Sequence, residues 1–181
     1  MNLPSEKTTQ GKVRIVVKGQ DSFRTSAAAM FIASGFERNP DNVAVIDTNS
    51  NYHKLFAGWG FHQLSQVNHP CTLEKMLQSI EDCETKKVIV LDSLDSFVST
   101  LLAIHSHEGE KDWISILKNF QILVARLMLS SCHVIVSIRI RKEMPEGPEV
   151  FGLDELLVSG SIRELSSCEF ENLKSKLISL I

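Results

Sequence analysis

The chain has 181 residues, 43% of them hydrophobic and 23% charged. That length and balance suit one globular domain able to bury its own core. A formal net charge of −3 excludes a global basic footprint for nucleic acid or an anionic membrane surface, and no apolar run approaches membrane-spanning length.

The polar stretch Met1–Gly11, with Glu6 and Lys7, lacks the apolar core of a signal peptide. It reads as a disordered N-terminus (1–11) ahead of a single domain (12–181). Cys71, Cys83, Cys132 and Cys168 show neither zinc nor redox-motif spacing. They read as buried free thiols in a reducing compartment, so the expected location is intracellular: cytoplasmic, or nuclear in a eukaryote.

Taken in order, Val13–Val17 is a short β-branched run interrupted by Arg14, the pattern of a largely buried strand. A turn at Gly19–Ser22 follows. From about Arg24 a helix runs through Ala27, Ala28 and Ala29 to a C-cap near Gly35. Small residues on its first turns allow close packing on a sheet. Asn39–Asn42 is a loop, and Val43–Ile46 is a second strand ending in Asp47. Tyr52–Trp59 suits a short helix and Gln63–Val67 a short strand. Thr72 is placed to cap the helix Leu73–Cys83, whose apolar stripe is Leu73, Met76, Leu77 and Ile80.

Val88–Leu91, ending in Asp92, is the cleanest strand pattern in the chain. Ser93–Ile104 reads as helix, His105–Glu110 as a polar interruption, and Asp112–Ser130 as a long amphipathic helix. Val134–Ile138 is the next strand, leading into the basic run Arg139, Arg141 and Lys142. Met144–Gly152 is a loop rich in Pro and Gly. Leu156–Val158 and Ser161–Leu165 suit short strands, and Glu169–Ile181 a closing helix. Strands alternating with helices predict an α/β three-layer sandwich with a mainly parallel sheet. Ligands then bind beyond the C-terminal ends of the strands, which is where Gly19, Asp47, Asp92 and Arg139 fall.

Four features carry a resemblance to a known family. They are the strand–Gly–loop–helix of KVRIVVKGQDSFRTSAAA, the strand VAVID followed by Thr48-Asn49, the strand VIVLDSL, and a long helix leading into HVIVSIR. Over roughly Lys12–Arg141 the chain resembles RecA-like P-loop NTPases. The segment from Asp112 to Glu143 is also similar, more loosely, to P-loop NTPases encoded by phages. The resemblance implies a RecA-like fold, an ATP and Mg²⁺ site, and VIVLDSL as the strand whose Asp92 lies near Mg²⁺.

The phosphate loop of that family is G-x-x-x-x-G-K-[ST], in which backbone amides, a lysine and a hydroxyl hold the phosphates and Mg²⁺. Aligned on it, Arg24 stands at the lysine and Thr25 at the Mg²⁺ hydroxyl. Phe23 replaces the second glycine, and the loop is one residue short. A ring at Phe23 opposes close backbone approach, Arg24 is a planar fork and not a point charge, and Asp21 adds a carboxylate where anions should bind. Asn49 stands where the family carries the acid that activates water, and an amide is no base. Ser137 stands where a γ-phosphate sensor would be.

Two functional classes follow. In the first, the chain is a RecA-like interaction protein with a degenerate nucleotide site, an assembly or regulatory subunit beside a RecA-like ATPase, in a setting such as DNA recombination or repair. In the second, it is a working ATP-binding protein or ATPase. The cofactor-binding candidates are Gly19, Ser22, Arg24, Thr25, Ser26 and Asp92, with Thr25 and Asp92 toward Mg²⁺. Thr25 and Ser26 also read as ordinary helix-start hydroxyls, and Asp92 as a strand-end cap. Arg139, Arg141 and Lys142 read as a solvated face first and a partner contact second, with an arginine finger or a nucleic-acid contact as the further alternatives. His105 and His107, with Glu108 nearby, have metal-like spacing but sit in a polar helix-break without a third placed ligand. Trp113 and Phe120 read as core, and Trp59, between two glycines, as a partner contact.

Overall fold

The computed structural model describes residues 11–49, 63–107, 110–139 and 162–165. The expected N-terminal tail to Gln10, the Tyr52–Trp59 helix with Trp59, Glu108, Arg141, Lys142, the Met144–Gly152 loop, the Leu156–Val158 strand, Cys168 and the Glu169–Ile181 helix lie outside these residues.

The described elements are β1 (Arg14–Gly19), α1 (Ser22–Phe36), a 3-10 turn (Pro40–Asn42), β2 (Val43–Asp47), β3 (Gln63–Gln66), α2 (Leu73–Cys83), β4 (Val88–Asp92), α3 (Asp95–Ile104), β5 (Ser106–His107), β6 (Glu110–Lys111), α4 (Trp113–Met128), β7 (His133–Arg139) and β8 (Ile162–Leu165). The main sheet has six strands in the order β3-β2-β4-β7-β1-β8. All its pairings are parallel. β5 and β6 form a small antiparallel hairpin in what the sequence shows only as a polar interruption.

The strands show why an unbroken apolar run suits a central parallel sheet. Their side chains alternate between two buried layers. Val16, Ala44, Ile46, Ile89, Leu91, Val134, Val136 and Ile138 face the layer built with α2, α3 and α4. Ile15, Val17, Val43, Val45, Val88, Val90 and Ile135 face α1. Ala28, Ala29 and Ala33 are buried on α1, and their small side chains bring that helix close over β1, β7 and β4. The three-layer α/β sandwich is therefore present, with helices on both faces.

Arg14 occupies a buried position in β1 without breaking the strand. Its guanidinium donates to the carbonyls of Val13 at 3.1 Å, Cys132 at 2.6 Å, Met128 at 3.2 Å and Ser130 at 2.5 Å. These include carbonyls at the end of α4 that have no partner within the helix. Burial lowers the pKa of Arg14, and the nearby Cys132 and Glu84 oppose that shift. Glu84 in turn accepts from Arg126 at 3.0 Å and from the Ser131 hydroxyl at 2.8 Å. A buried cation thus ties the N-terminal end of the sheet to the α4–β7 connection.

Candidate functional site

The opposite, C-terminal end of the strands gathers most of the residues that the sequence singles out. Gly19 is in register with Arg139 across β1 and β7, and Asp47 with Asp92 across β2 and β4. β7 lies between β1 and β4, so the β1–α1 turn and the end of β4 flank the end of one common strand.

The turn itself is short. β1 continues through Gly19 and α1 begins at Ser22, leaving Gln20 and Asp21 between them. The helix thus starts two residues before the expected Arg24, which puts Ser22 and Phe23 in its first turn. The reason is local capping. Asp21 Oδ1 accepts from Arg24 N at 2.9 Å, and the Asp21 carbonyl accepts from Thr25 N at 3.0 Å and from Thr25 Oγ1 at 2.6 Å. An Asp N-cap satisfies a first-turn amide and complements the positive end of the helix dipole. The Arg24 and Phe23 side chains are exposed, Phe23 by 48%. Gly19 is required for packing: a Cβ there would collide with Thr25 Oγ1.

Across the sheet edge, Asp92 is 1% exposed. Its Oδ1 accepts from Ser137 Oγ at 2.5 Å. Burial pushes the Asp92 carboxyl up to about 6. The Ser137 and Ser26 hydroxyls pull it down, and the carboxylates of Asp47 and Asp95 push it further up. Ser26 is buried, and its Oγ forms no hydrogen bond among the described residues.

The ends of β2, β4 and β7 are knitted together. Thr48 Oγ1 donates to the carbonyls of Asp92 at 2.9 Å and Ser93 at 2.6 Å. Ser93 N donates to Ser137 Oγ at 2.8 Å, and Leu94 N to the Ser137 carbonyl at 2.9 Å. Ser93 has a φ of 64°, the left-handed region that costs a non-glycine residue energy unless its surroundings enforce it. Thr48 and Ser137 supply that enforcement. α3 accordingly starts at Asp95 and not at Ser93. Asp95 Oδ1 accepts a long hydrogen bond, 3.4 Å, from Arg139 N. Thr48 and Ser93 were not singled out as site residues in the sequence; the only signal was their position one residue past each strand-end aspartate.

Among the described residues no group of three or more His, Cys, Asp or Glu side chains is arranged to hold a metal ion. His105 lies at the end of α3, 3.5 Å from Asn119 Nδ2. Trp113 packs against the core and Phe120 is fully buried within it. Arg139 ends β7 with an exposed side chain. No described helix is long and apolar enough to cross a membrane.

Solved structures share this architecture. A KaiC-like protein, PH0186 from the hyperthermophilic archaeon Pyrococcus horikoshii OT3, superposes with a TM-score of 0.51 over 85% of this chain and 72% of its own, at 15% identity. The fold is RecA-like. An ATP synthase subunit, NeqB from Nanoarcheaum equitans, shares it with a TM-score of 0.56 at 11% identity over 91% of this chain. The chain spans about half of NeqB, 48% of its length. No protein-family profile matches the chain, and no curated protein matches it in sequence.

Proposed function

We propose that the chain is a RecA-like protein whose nucleotide site is degenerate, and that it serves as an assembly or regulatory subunit for another protein, of which a RecA-like ATPase is the leading candidate. One observation carries the reading: the Asp21 carboxylate sits on the Arg24 amide at 2.9 Å. A phosphate loop presents several converging amides to an anion. Here two residues join strand to helix, and the protein's own carboxylate occupies the helix N-terminus. The residues present do not fit the triphosphate cradle that the sequence resemblance implies, and no hydrolytic step is assigned to them. Asn49 and Ser137, in place of an acid and a sensor, point the same way. NeqB is described as an ATP synthase subunit, an instance of this fold within a larger assembly.

A role beside DNA recombination or repair would use the basic run that begins at Arg139, with Arg141 and Lys142. Such a contact would weaken steeply with salt.

A second reading keeps a working ATP site built from Arg24, Thr25 and Asp92. The buried Ser26 hydroxyl, with no hydrogen bond among the described residues and close to Asp92, favours it, because buried polar groups are ordinarily bonded. Calorimetric titration with ATP and Mg²⁺ separates the two. The proposal expects no saturable binding below millimolar ligand. Micromolar affinity that disappears in Arg24→Ala would establish the second reading instead.

A further inference from the structure

Val13 enters β1 through a bond that depends on the charge of one side chain. Its backbone N–H donates to His133 Nδ1 at 3.1 Å, across 120 residues of sequence. The next link runs the other way, with Val134 N donating to the Val13 carbonyl at 2.9 Å. An N–H donates only to a ring nitrogen that carries no proton. The geometry therefore fixes the ring as the neutral tautomer with its proton on Nε2. An imidazolium has two donors and no acceptor, and it would set a second N–H against that of Val13.

The surroundings hold this ring in place and keep it neutral. His133 starts β7, and its own N–H donates to the Lys87 carbonyl at 2.8 Å, one residue ahead of β4. Its ring stacks on Phe36, the last residue of α1, with centroids 5.2 Å apart and planes inclined by 28°. Burial lowers the His133 pKa, and the cations Lys12 and Arg14 at the start of β1 lower it further. On the α1 side Glu37 follows Phe36, but its carboxylate is paired with Lys87 at 2.7 Å. Cys132, which precedes His133, and Glu84, at the end of α2, act on Arg14. The charges acting on the ring itself are both positive, so a proton on His133 would add a third cation beside Lys12 and Arg14.

We propose that His133 is a pH-sensitive latch on the entry to β1, whose neutral ring holds Val13 in the sheet and whose imidazolium releases it. The sign follows from linkage. A lowered pKa in the closed form means that the opened form takes up the proton more readily. The contribution of the latch is therefore complete above the ordinary histidine value of about 6.5 and is lost as pH falls through the lower closed-state value. Release stays local, because Arg14, the next residue, is held by its own hydrogen bonds to the Cys132 and Ser130 carbonyls, and strand ends open at small cost. The latch lies at the N-terminal end of the sheet and is independent of whether the β1–α1 turn holds nucleotide.

Nuclear magnetic resonance of the isotope-labelled full chain between pH 7.5 and pH 5 tests it. At pH 7.5 the His133 ring nitrogens are expected to show the tautomer protonated on Nε2, with a titration midpoint below about 6.5. Over the same range the hydrogen-exchange protection of the Val13 amide, taken relative to that of Val90 in β4, is expected to fall about tenfold. His133→Asn, whose side-chain carbonyl accepts a hydrogen bond but does not titrate, is expected to keep that protection at both pH values. His133→Phe, which keeps a ring against Phe36 but has no acceptor, is expected to lose it at both. A midpoint at or above about 6.5, a wild-type Val13 protection that does not change with pH, or a His133→Asn variant that keeps the wild-type pH dependence overturns the inference.

Discussion

The Ser137 hydroxyl donates to Asp92 Oδ1 at 2.5 Å and accepts from Ser93 N at 2.8 Å. One small side chain thus joins the ends of β4 and β7. At this position the sequence resemblance implies a sensor that reports on bound phosphate. Here the side chain is engaged within the protein, on the carboxylate that the same resemblance would set near a cation.

Asp92 is a stability liability at neutral pH. Its folded-state pKa, about 6, lies above the ordinary carboxylate value of about 4. The folded state holds more protons in this window, so the associated stability is present below about pH 4 and is lost as pH rises through about 6. The shift corresponds to about 3 kcal/mol. Asp92→Asn is expected to remove this decline and to leave the protein equally stable or more stable at pH 7. Urea midpoints at pH 4, 5, 6 and 7 measure both effects. A wild-type slope retained in Asp92→Asn would show that another group sets the pH dependence, and a loss of more than about 2 kcal/mol at pH 7 would show that the ionised carboxylate stabilises the fold.

Asp21 caps α1, and the same carboxylate stands against any phosphate. Asp21→Ala should cost about 1 kcal/mol of stability, while Asp21→Asn, a cap of similar quality, should cost little. If the carboxylate is the obstacle, Asp21→Asn should also bind pyrophosphate more tightly than the wild type. Equal affinity in both proteins would place the obstacle in the length of the turn.

Gly19 is required because Thr25 lies against it. Gly19→Ala should destabilise by about 1–3 kcal/mol, the range for overpacking. In a Thr25→Ala background, where the colliding oxygen is gone, the same change should cost much less. A coupling of about 1 kcal/mol or more in a double-mutant cycle is the expected result; additivity would point to backbone conformation instead.

Arg14 should be among the costliest substitutions in the chain. Arg14→Met keeps the apolar stem but leaves the carbonyls of Cys132 and Ser130 without its hydrogen bonds, at a cost of about 3 kcal/mol or more. Arg14→Lys should recover only part of this, because an ammonium lacks the planar fork that reaches several carbonyls at once. Denaturant unfolding of the three proteins gives the order directly; a loss below about 1 kcal/mol in Arg14→Met would show these bonds to be dispensable.

Much of the fold was legible along the chain because its signals are local. VIVLD and VAVI are buried on both faces, so each reads as an unbroken apolar run. Leu73–Cys83 and Trp113–Met128 carry one-sided stripes at helical spacing. The placement of Gly19, Asp47, Asp92 and Arg139 at one sheet edge followed from strand ends alone. The β5–β6 hairpin was not legible, since two-residue strands have no period to read. Arg14 was visible only as an interruption, because the carbonyls that hold it lie more than a hundred residues away.

The sequence by itself determined the alternation of strands and helices and the altered composition of the first turn, because hydrophobic period and residue type act over a few neighbouring positions. Only the tertiary structure decided what those altered residues do. Asp21 turns back onto its own helix, Gly19 gives way to Thr25, and Ser137 reaches Asp92 from a strand 45 residues later. The first two follow from how one strand turns into one helix; the third depends on β4 and β7 lying side by side, and strand order is set by packing of the whole sheet, which no local pattern encodes.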